Sequence, residues 1–199
     1  ANRSEHANGV EQATIAYGVD GALTVTNAGG HNQYYQFSRH GSQSKPDIIE
    51  GAPCTGLPSG KTSFTYDSNG NLTSKVTAEG QTFSYQYNSR GLETSRTSEE
   101  GGQITTQWLA TTSLPVKITE PTRTTDLTYD DHLRVIVLKK TDRTTSAVRQ
   151  WQFTYNADLN GVPGQLSDID GPRTDVADVT HFDYDSQGNL VAVTDAAGN

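Results

Sequence analysis

The sequence has no methionine, a single cysteine and no long apolar run. Cys54 has no partner within the chain, so an internal disulfide is excluded. A membrane-spanning helix needs roughly 20 apolar residues, and no stretch approaches that length. The N-terminal ANRSEHANGVEQ lacks the charged and then apolar pattern of a secretory signal. We therefore predict a soluble segment without a membrane span, and the absence of Met, even at position 1, leads us to expect a piece of a longer protein.

Apolar and basic residues are also scarce. Hydrophobic residues make up 32% of the 199 positions, which is low for one compact globule, while 19 glycines favour an extended or repetitive architecture. Fifteen Lys and Arg face 23 Asp and Glu, so the formal net charge is −8. A polyanion would be repelled on average, and we predict no nucleic-acid partner.

One phrase occurs twice in the sequence. FTYDSNGNL occupies residues 64–72, and HFDYDSQGNL occupies residues 181–190. Aromatic residues before each predicted turn recur every 21 positions from 66 to 129 and then at wider intervals. We call these seven residues the marker aromatics: Tyr17, Tyr66, Tyr87, Trp108, Tyr129, Tyr155 and Tyr184. A period of 20 to 50 residues indicates an array whose units cannot bury their apolar faces alone.

Within a unit the hydrophobic period is two. In TFSYQY the aromatics at 83, 85 and 87 share one face, and Trp151, Phe153 and Tyr155 repeat the pattern. This alternation, with many Thr, Val and Tyr residues, predicts β-strands. Glycine follows a polar residue at each predicted turn, where a positive φ is needed, and Asp67 and Asp185 are placed to hydrogen-bond the turn backbone. The predicted turn glycines are Gly21, Gly70, Gly91 and Gly188.

These features predict an all-β fold of antiparallel β-hairpin repeats that form a curved, spiralling sheet. The marker aromatics of successive hairpins would meet as cross-strand pairs, each contributing about 0.2–1 kcal/mol. We expect a single array over residues 1–199, with about seven units from Tyr17 onward. The prolines and glycines of SQSKPDIIEGAPCTGLPSGK predict an inserted loop at about 41–61.

Four longer runs resemble a known family. They are YDSNGNL with YDSQGNL, NSRGLETSRT at 88–97, LPVKITEP at 114–121 and DGPRTDVADVT at 170–180. In these runs the sequence is similar to the Rhs (rearrangement hot spot) or YD-repeat family. The resemblance implies a spiralling β-sheet that, in full-length members, closes into a shell around a C-terminal toxin or forms the barrel of a large surface protein. The Tyr-Asp dipeptide itself is intact only at 66–67, 129–130 and 184–185, and neither a self-cleaving aspartate motif nor a toxin domain is recognisable.

The sequence contains only weak patterns for a nucleotide-binding, metal-binding or catalytic site. Residues 51–62 resemble a phosphate-binding loop, but Thr55 stands where the first Gly belongs and a strand follows instead of a helix. Asp168, Asp170, Asp175, Asp178, Asp183 and Asp185 offer oxygen ligands for Ca²⁺, against a simpler role in turns and solubility. The five histidines show no metal-ligand or triad spacing. We predict no enzyme activity and assign no catalytic, cofactor-binding or metal-binding residue.

The leading hypothesis is therefore a structural segment of a secreted or surface-delivered Rhs/YD-repeat protein, forming part of a β-shell around a C-terminal toxin or effector. Its partners would be further repeats, the enclosed effector and, through unpaired strand edges, other copies of itself. The alternative is an adhesive, carbohydrate-binding array at the cell surface, in which the marker aromatics face outward and stack on glycans.

Overall fold

The computed structural model describes residues 3–6, 10–51, 60–158 and 164–199. All regular secondary structure in these ranges is β-strand. The chain divides into two compact units, Ala1–Gln103 and Ile104–Asn199. Within each unit, every strand pairs antiparallel with the strand that follows it in sequence. The predicted all-β class with antiparallel hairpin repeats is confirmed.

The strands are short and closely spaced. In the first unit they are β1 Arg3–His6, β2 Val10–Tyr17, β3 Ala22–Thr26, β4 Asn32–His40, β5 Gln43–Gly51, β6 Gly60–Tyr66, β7 Leu72–Val76, β8 Thr82–Tyr87 and β9 Glu93–Ser98. In the second unit they are β10 Gly102–Trp108, which begins just before the boundary, β11 Pro115–Thr119, β12 Arg123–Tyr129, β13 Val135–Asp142, β14 Val148–Tyr155, β15 Leu166–Asp170, β16 Val179–Tyr184 and β17 Leu190–Thr194.

One five-residue turn recurs between strands. The amide of its first residue donates to the carbonyl of the fifth, and the amide of the fourth donates back to the carbonyl of the first. The side chain of the first residue accepts a hydrogen bond from the fifth amide, and in all but the Thr77 turn also one from the third. These pentapeptide turns begin at Asn27, Asp67, Thr77, Asn88, Asp130, Asp185 and Asp195. A short polar side chain at the first position is therefore what ends one strand and starts the next.

Strand register separates the residues of each unit onto two faces. In the first unit Phe64 lies opposite Lys75, and Lys75 lies opposite Phe83. The same alternation along the strands gives what we call the aromatic face of this unit: Ile15, Tyr17, Leu23, Val25, Tyr35, Phe37, Ile49, Phe64, Tyr66, Phe83, Tyr85 and Tyr87. The other face, the polar face, consists mostly of Ser, Thr, Gln and charged residues.

The second unit has the same two-faced construction. Its aromatic face comprises Ile104, Trp108, Ile118, Leu127, Tyr129, Leu138, Trp151, Phe153, Tyr155, Ile169, Phe182, Tyr184 and Val193. Its polar face carries charged ladders such as Lys117, Asp126 and Lys139, which lie opposite one another on β11, β12 and β13.

The aromatic faces are only partly buried in the described parts of the chain. Among the described residues no hydrophobic side chain is fully buried, and the two buried side chains are those of Ser95 and Ser167. Cationic side chains shield some of the rings instead. The Nζ of Lys75 lies 5.9 Å from the Phe83 ring centroid in the first unit, and the guanidinium of Arg134 lies 4.4 Å from the Tyr155 ring in the second.

The loop predicted at about 41–61 is wrong for most of its described part. Gln43–Gly51 forms β5, Gly60 and Lys61 begin β6, and residues 52–59 lie outside the described residues. Pro46 is tolerated in β5 because it lies at a register shift opposite Phe37, where the loss of its amide breaks no regular ladder. The single array of about seven units stays a prediction.

Candidate functional site

The marker aromatics share one position in their hairpins. Six of them lie where the strand register shifts by one residue, directly before the turn: Tyr66, Tyr87, Trp108, Tyr129, Tyr155 and Tyr184. All six are half-buried. Tyr17 differs, because it pairs with Leu23 without a register shift and 65% of its surface is exposed. The period of the sequence thus marks a repeated β-bulge as well as a repeated ring.

Three marker hydroxyls connect neighbouring hairpins. Tyr66 donates to the carbonyl of Pro46 at 2.9 Å, Tyr129 to that of Pro115 at 2.8 Å, and Tyr155 to that of Val135 at 2.9 Å. Each acceptor is the residue that lies opposite the aromatic of the preceding hairpin, as Val135 lies opposite Tyr129. Burial raises the pKa of all three tyrosines, so their hydroxyls stay protonated as donors at neutral pH.

The four predicted turn glycines all have positive φ, between 75° and 83°. Gly70, Gly91 and Gly188 take the fourth position of a pentapeptide turn, whereas Gly21 follows Asp20 in a two-residue hairpin in which both residues have positive φ. A Cβ at Gly21 would lie 2.8 Å from the Phe37 carbonyl oxygen. This close approach explains why Gly is required there beyond its backbone angle.

A polar cluster on β4 and β5 contains the residue types of a hydrolytic triad. His40 Nε2 lies 2.6 Å from Asp47 Oδ1 and 2.9 Å from Ser38 Oγ, and its ring is 4.4 Å from that of Tyr66. A triad needs the carboxylate on one ring nitrogen and the hydroxyl on the other, whereas both partners here contact the same nitrogen. Partial desolvation opposes ionisation of Asp47, but hydrogen bonds from Ser38 and His40 lower its pKa overall. These contacts join β4 to β5 and do not activate a nucleophile.

A second histidine lies between two carboxylates on the polar face of the second unit. His181 Nδ1 is 2.7 Å from Asp168 Oδ1, and its Nε2 is 3.2 Å from Asp183 Oδ1. The hydrogen bond to Asp168 is the main cause of a raised His181 pKa, and it lowers the pKa of Asp168 in turn. An imidazolium that donates to both acids fits this geometry.

Five of the six acidic residues considered for Ca²⁺ accept hydrogen bonds from other protein groups, and Asp168 and Asp183 accept theirs from His181. Asp175 pairs with Arg173, Asp178 accepts from the Arg173 amide, and Asp185 is bonded within its own turn. Within the described ranges no group of three or more metal-ligating side chains is brought together. Most of the segment that resembles a phosphate-binding loop lies in residues 52–59, outside the described residues. Cys54 lies there as well. In the parts of the chain that the structure describes, no helix is long and apolar enough to cross a bilayer.

Sequence reasoning missed the two histidine clusters, since the nearest carboxylate of each, Asp47 or Asp168, comes from a neighbouring strand. Asp168 and His181 are 13 positions apart yet directly opposite in register. Only knowledge of the strand register would have joined them, since β15 and β16 pair without a register shift.

The chain is similar to known repeat proteins in sequence and in fold. The RHS Repeat family model matches residues 66–103 and 164–199. Comparison with curated proteins gives no match. Among solved structures, a chain of the TcdB2-TccC3-Cdc42 crystal structure superposes with a TM-score of 0.63 and 15% identity, over 99% of this chain and 12% of that one.

Two further structures have the same fold over nearly all of this chain. A chain of the TcdB2-TccC3 crystal structure gives a TM-score of 0.60 at 16% identity, covering 96% of this chain and 11% of its own length. A chain of the Photorhabdus luminescens Tc holotoxin pore gives 0.58 at 13%, with coverages of 96% and 11%. This chain therefore spans only about an eighth of the solved chains that it matches. The RHS Repeat model matches part of each unit, and the resemblance predicted from the sequence is confirmed.

Proposed function

We propose that the chain is a structural wall segment of a larger, secreted or surface-delivered RHS-repeat protein, in which its sheet forms part of a β-shell around a C-terminal toxin or effector. The observation that supports this most directly is the two-faced sheet. Each unit presents an aromatic face without any fully buried hydrophobic side chain among the described residues.

An uncovered aromatic face is unfavourable on a protein in water. Apolar patches of this kind bind other surfaces or aggregate, whereas closing a sheet places one face inside. The aromatic face would then line the interior, and the polar face, with ladders such as Lys117, Asp126 and Lys139, would meet solvent. In this role the marker aromatics join successive hairpins, and the turn glycines set the hairpin ends.

The chain would supply only part of such a shell, and further repeats would supply the rest. Strand β17 illustrates the need for further repeats, because Leu190, Val191 and Val193 are 52%, 62% and 48% exposed. A strand that is apolar on both faces is suited to a covered position. We therefore propose that the isolated chain self-associates through such strands, which light scattering over a range of concentrations would test.

The orientation of the faces can be tested by labelling in the intact parent protein. In a Cys54→Ser background, Tyr85→Cys places a thiol on the aromatic face of β8, and Gln86→Cys places the matched control on its polar face. A polyethylene-glycol maleimide, too bulky to pass through the wall, should modify Gln86→Cys quickly and Tyr85→Cys only after denaturation. In the isolated chain, where both faces meet solvent, both thiols should react.

Two results would decide against enclosure. Equal labelling of both positions in the folded parent would mean that the aromatic face is open, as the adhesive, carbohydrate-binding alternative requires. An effector domain cleaved by protease as fast in the folded parent as when expressed alone would also contradict the proposal. Neither outcome depends on any enzyme activity, and we propose none for this chain.

A further inference from the structure

The backbone ladder between β15 and β16 is short. These two strands pair at three positions, whereas β12 and β13 pair at seven. Residues 171–178, which connect β15 to β16, contribute one backbone hydrogen bond, from the Gly171 amide to the Asp178 carbonyl at 3.4 Å. We call the pairing of β15 with β16 the seam. Side-chain contacts therefore provide a larger share of the adhesion at the seam than they do between β12 and β13.

Three acids and one histidine share the polar face of the seam. Asp168 and Asp170 lie two positions apart on β15, and His181 and Asp183 lie two positions apart on β16, with Asp168 directly opposite His181. His181 contacts Asp168 through Nδ1 at 2.7 Å and Asp183 through Nε2 at 3.2 Å. In the described part of the chain, neither carboxylate has a Lys or Arg partner. Only the charge of His181 offsets theirs at close range.

The neighbouring strands bring no charge to this cluster. The residues opposite it are neutral: Gln152 and Thr154 on β14 lie opposite Asp170 and Asp168, and Ala192 and Thr194 on β17 lie opposite Asp183 and His181. Charged residues in the adjoining turns have partners of their own: Arg173 pairs with Asp175, Asp178 accepts from the Arg173 amide, and Asp185 and Asp195 are bonded within their turns. The protonation state of His181 therefore determines the balance of charge at the seam.

Asp168 is held in place independently of His181. Its Oδ2 accepts a hydrogen bond from Ser167 Oγ at 2.7 Å, and Ser167 is one of the two buried side chains among the described residues. An imidazolium can donate to Asp168 and to Asp183 at the same time. A neutral imidazole has one N–H, so it can donate to one of them while its lone pair faces the other. Loss of the proton thus removes a contact across or beside the seam and leaves the acids without a counter-charge.

The use of histidine distinguishes the seam from the other acid–base pairs that lie directly opposite each other in the described strands. Those pairs are Glu50 with Lys61, Lys117 with Asp126, Asp126 with Lys139, and Arg123 with Asp142. Lys and Arg keep their charge to about pH 10 or above, whereas an unperturbed His loses its charge near pH 6.5. Among these pairings, the seam is the one whose attraction changes close to neutral pH.

We propose that the seam is a pH-sensitive switch, in which protonated His181 bridges Asp168 and Asp183 and holds β15 against β16, and loss of that proton lets the hairpin open locally. This regulatory role goes beyond the proposed wall function and does not depend on it. It requires only the described residues of the second unit.

The direction of the switch follows from the two shifted groups. The hydrogen bond to Asp168 is the main cause of the raised pKa of His181, so its contribution is complete below about pH 6.5, the unfolded value, and is lost as the pH rises through the folded value. The same hydrogen bond is the main cause of the lowered pKa of Asp168, whose contribution is present above about pH 3.9 and is lost as the pH falls through its folded value. The seam is therefore tightest in mildly acidic solution.

Hydrogen exchange of the 199-residue chain, followed by mass spectrometry and corrected for intrinsic exchange, tests the switch. Protection of residues 166–184 should fall about two- to fivefold between pH 5.5 and pH 8.5, as expected for a partly exposed ion pair. Residues 123–142 of β12 and β13 are the internal control and should keep their protection, because their ion pairs do not titrate in this range. His181→Gln should remove the pH dependence at the seam, whereas His31→Gln, at an exposed turn residue of the first unit, should preserve it.

A titration of the histidine rings by NMR separates the bridge from a general effect of pH. The midpoint of His181 should fall in Asp168→Asn, which keeps the shape of the side chain and removes its charge. The proposal is overturned if protection of the seam does not change with pH, if β12 and β13 lose as much protection, if His181→Gln retains the full pH dependence, or if Asp168→Asn leaves the His181 midpoint where it was. None of these results affects the labelling experiment on the two faces, so the shell proposal can fail or hold separately.

Discussion

At the scale of single residues, the fourth position of the pentapeptide turn shows what the repeat demands. Six of the seven turns have Gly there with positive φ, and the seventh has Leu133 with a φ of 63°. A residue with a Cβ costs about 1–2 kcal/mol in the left-handed region. Leu133 is 47% exposed, so its side chain has little packing to offset that cost. The strain at Leu133 is thus visible only by comparison with its six equivalents.

We expect Leu133→Gly to stabilise the protein by about 0.5–1 kcal/mol, since relief of backbone strain exceeds the entropy that Gly costs. Gly80→Ala is the converse variant, because a Cβ at Gly80 meets no atom within 4 Å and only the backbone angle opposes it. It should destabilise by about 1 kcal/mol. Urea unfolding measures both, and a loss of stability in Leu133→Gly would show that its side chain packs usefully.

The marker hydroxyls provide the second residue-scale prediction. Tyr155→Phe removes the hydrogen bond to the Val135 carbonyl and leaves the ring in place. We expect a loss of about 0.5–1.5 kcal/mol in the free energy of unfolding. Tyr17→Phe is the matched control, because Tyr17 is exposed and should tolerate the change. Equal effects of the two variants in urea titrations would contradict a specific role for the interhairpin bond.

At the scale of elements, turn acids make the fold sensitive to low pH. The Asn71 side chain, followed by turn amides, lowers the pKa of Asp67; Asn189 does the same for Asp185, and the Asn199 amide is the main cause for Asp195. A pKa that is lower in the folded state stabilises the fold above the unfolded value, near 3.9 for Asp. That stability is lost as the pH falls through the folded pKa values.

The triple variant Asp67→Asn/Asp185→Asn/Asp195→Asn tests this sensitivity. Asn keeps the Oδ1 acceptor, as the natural turns at Asn27 and Asn88 do, but it does not titrate in this range. Between pH 5 and pH 2, thermal midpoints of the variant should fall less steeply than those of the wild-type protein. Parallel pH profiles would assign acid sensitivity to other carboxylates, such as Asp168.

Sequence patterns predicted the regular strands and the glycine turns better than the features that depend on strand register. Period-two alternation located β8 at its observed bounds, Thr82–Tyr87, and the Asn-Gly and Gln-Gly turns located the hairpins at 67–71 and 185–189. Strand β5 was missed because Pro46 reads as a loop residue when the bulge that accommodates it is not visible in the sequence. The register in which Lys140 lies opposite Arg149 could likewise not be predicted, since it depends on the length of the turn between β13 and β14.

At the scale of the whole molecule, the absence of fully buried hydrophobic side chains among the described residues has a calorimetric signature. The heat capacity of unfolding grows with the apolar surface newly exposed to water, typically by about 12–15 cal/mol/K per residue. For a chain of 199 residues that rule gives roughly 2.4–3.0 kcal/mol/K. We expect scanning calorimetry to find a smaller value for the isolated chain, and a value in that range would mean that a second layer covers the aromatic faces.

The strictly sequential pairing of strands within each unit also determines how the chain responds to mechanical force. Among the described strands of each unit, each strand pairs with the strands before and after it, so tension applied along the sequence would load one strand pair at a time. Each unit would unfold strand by strand, at low force and in small steps, instead of rupturing as a block. If the proposed shell is correct, its wall could be dismantled from one end without global unfolding.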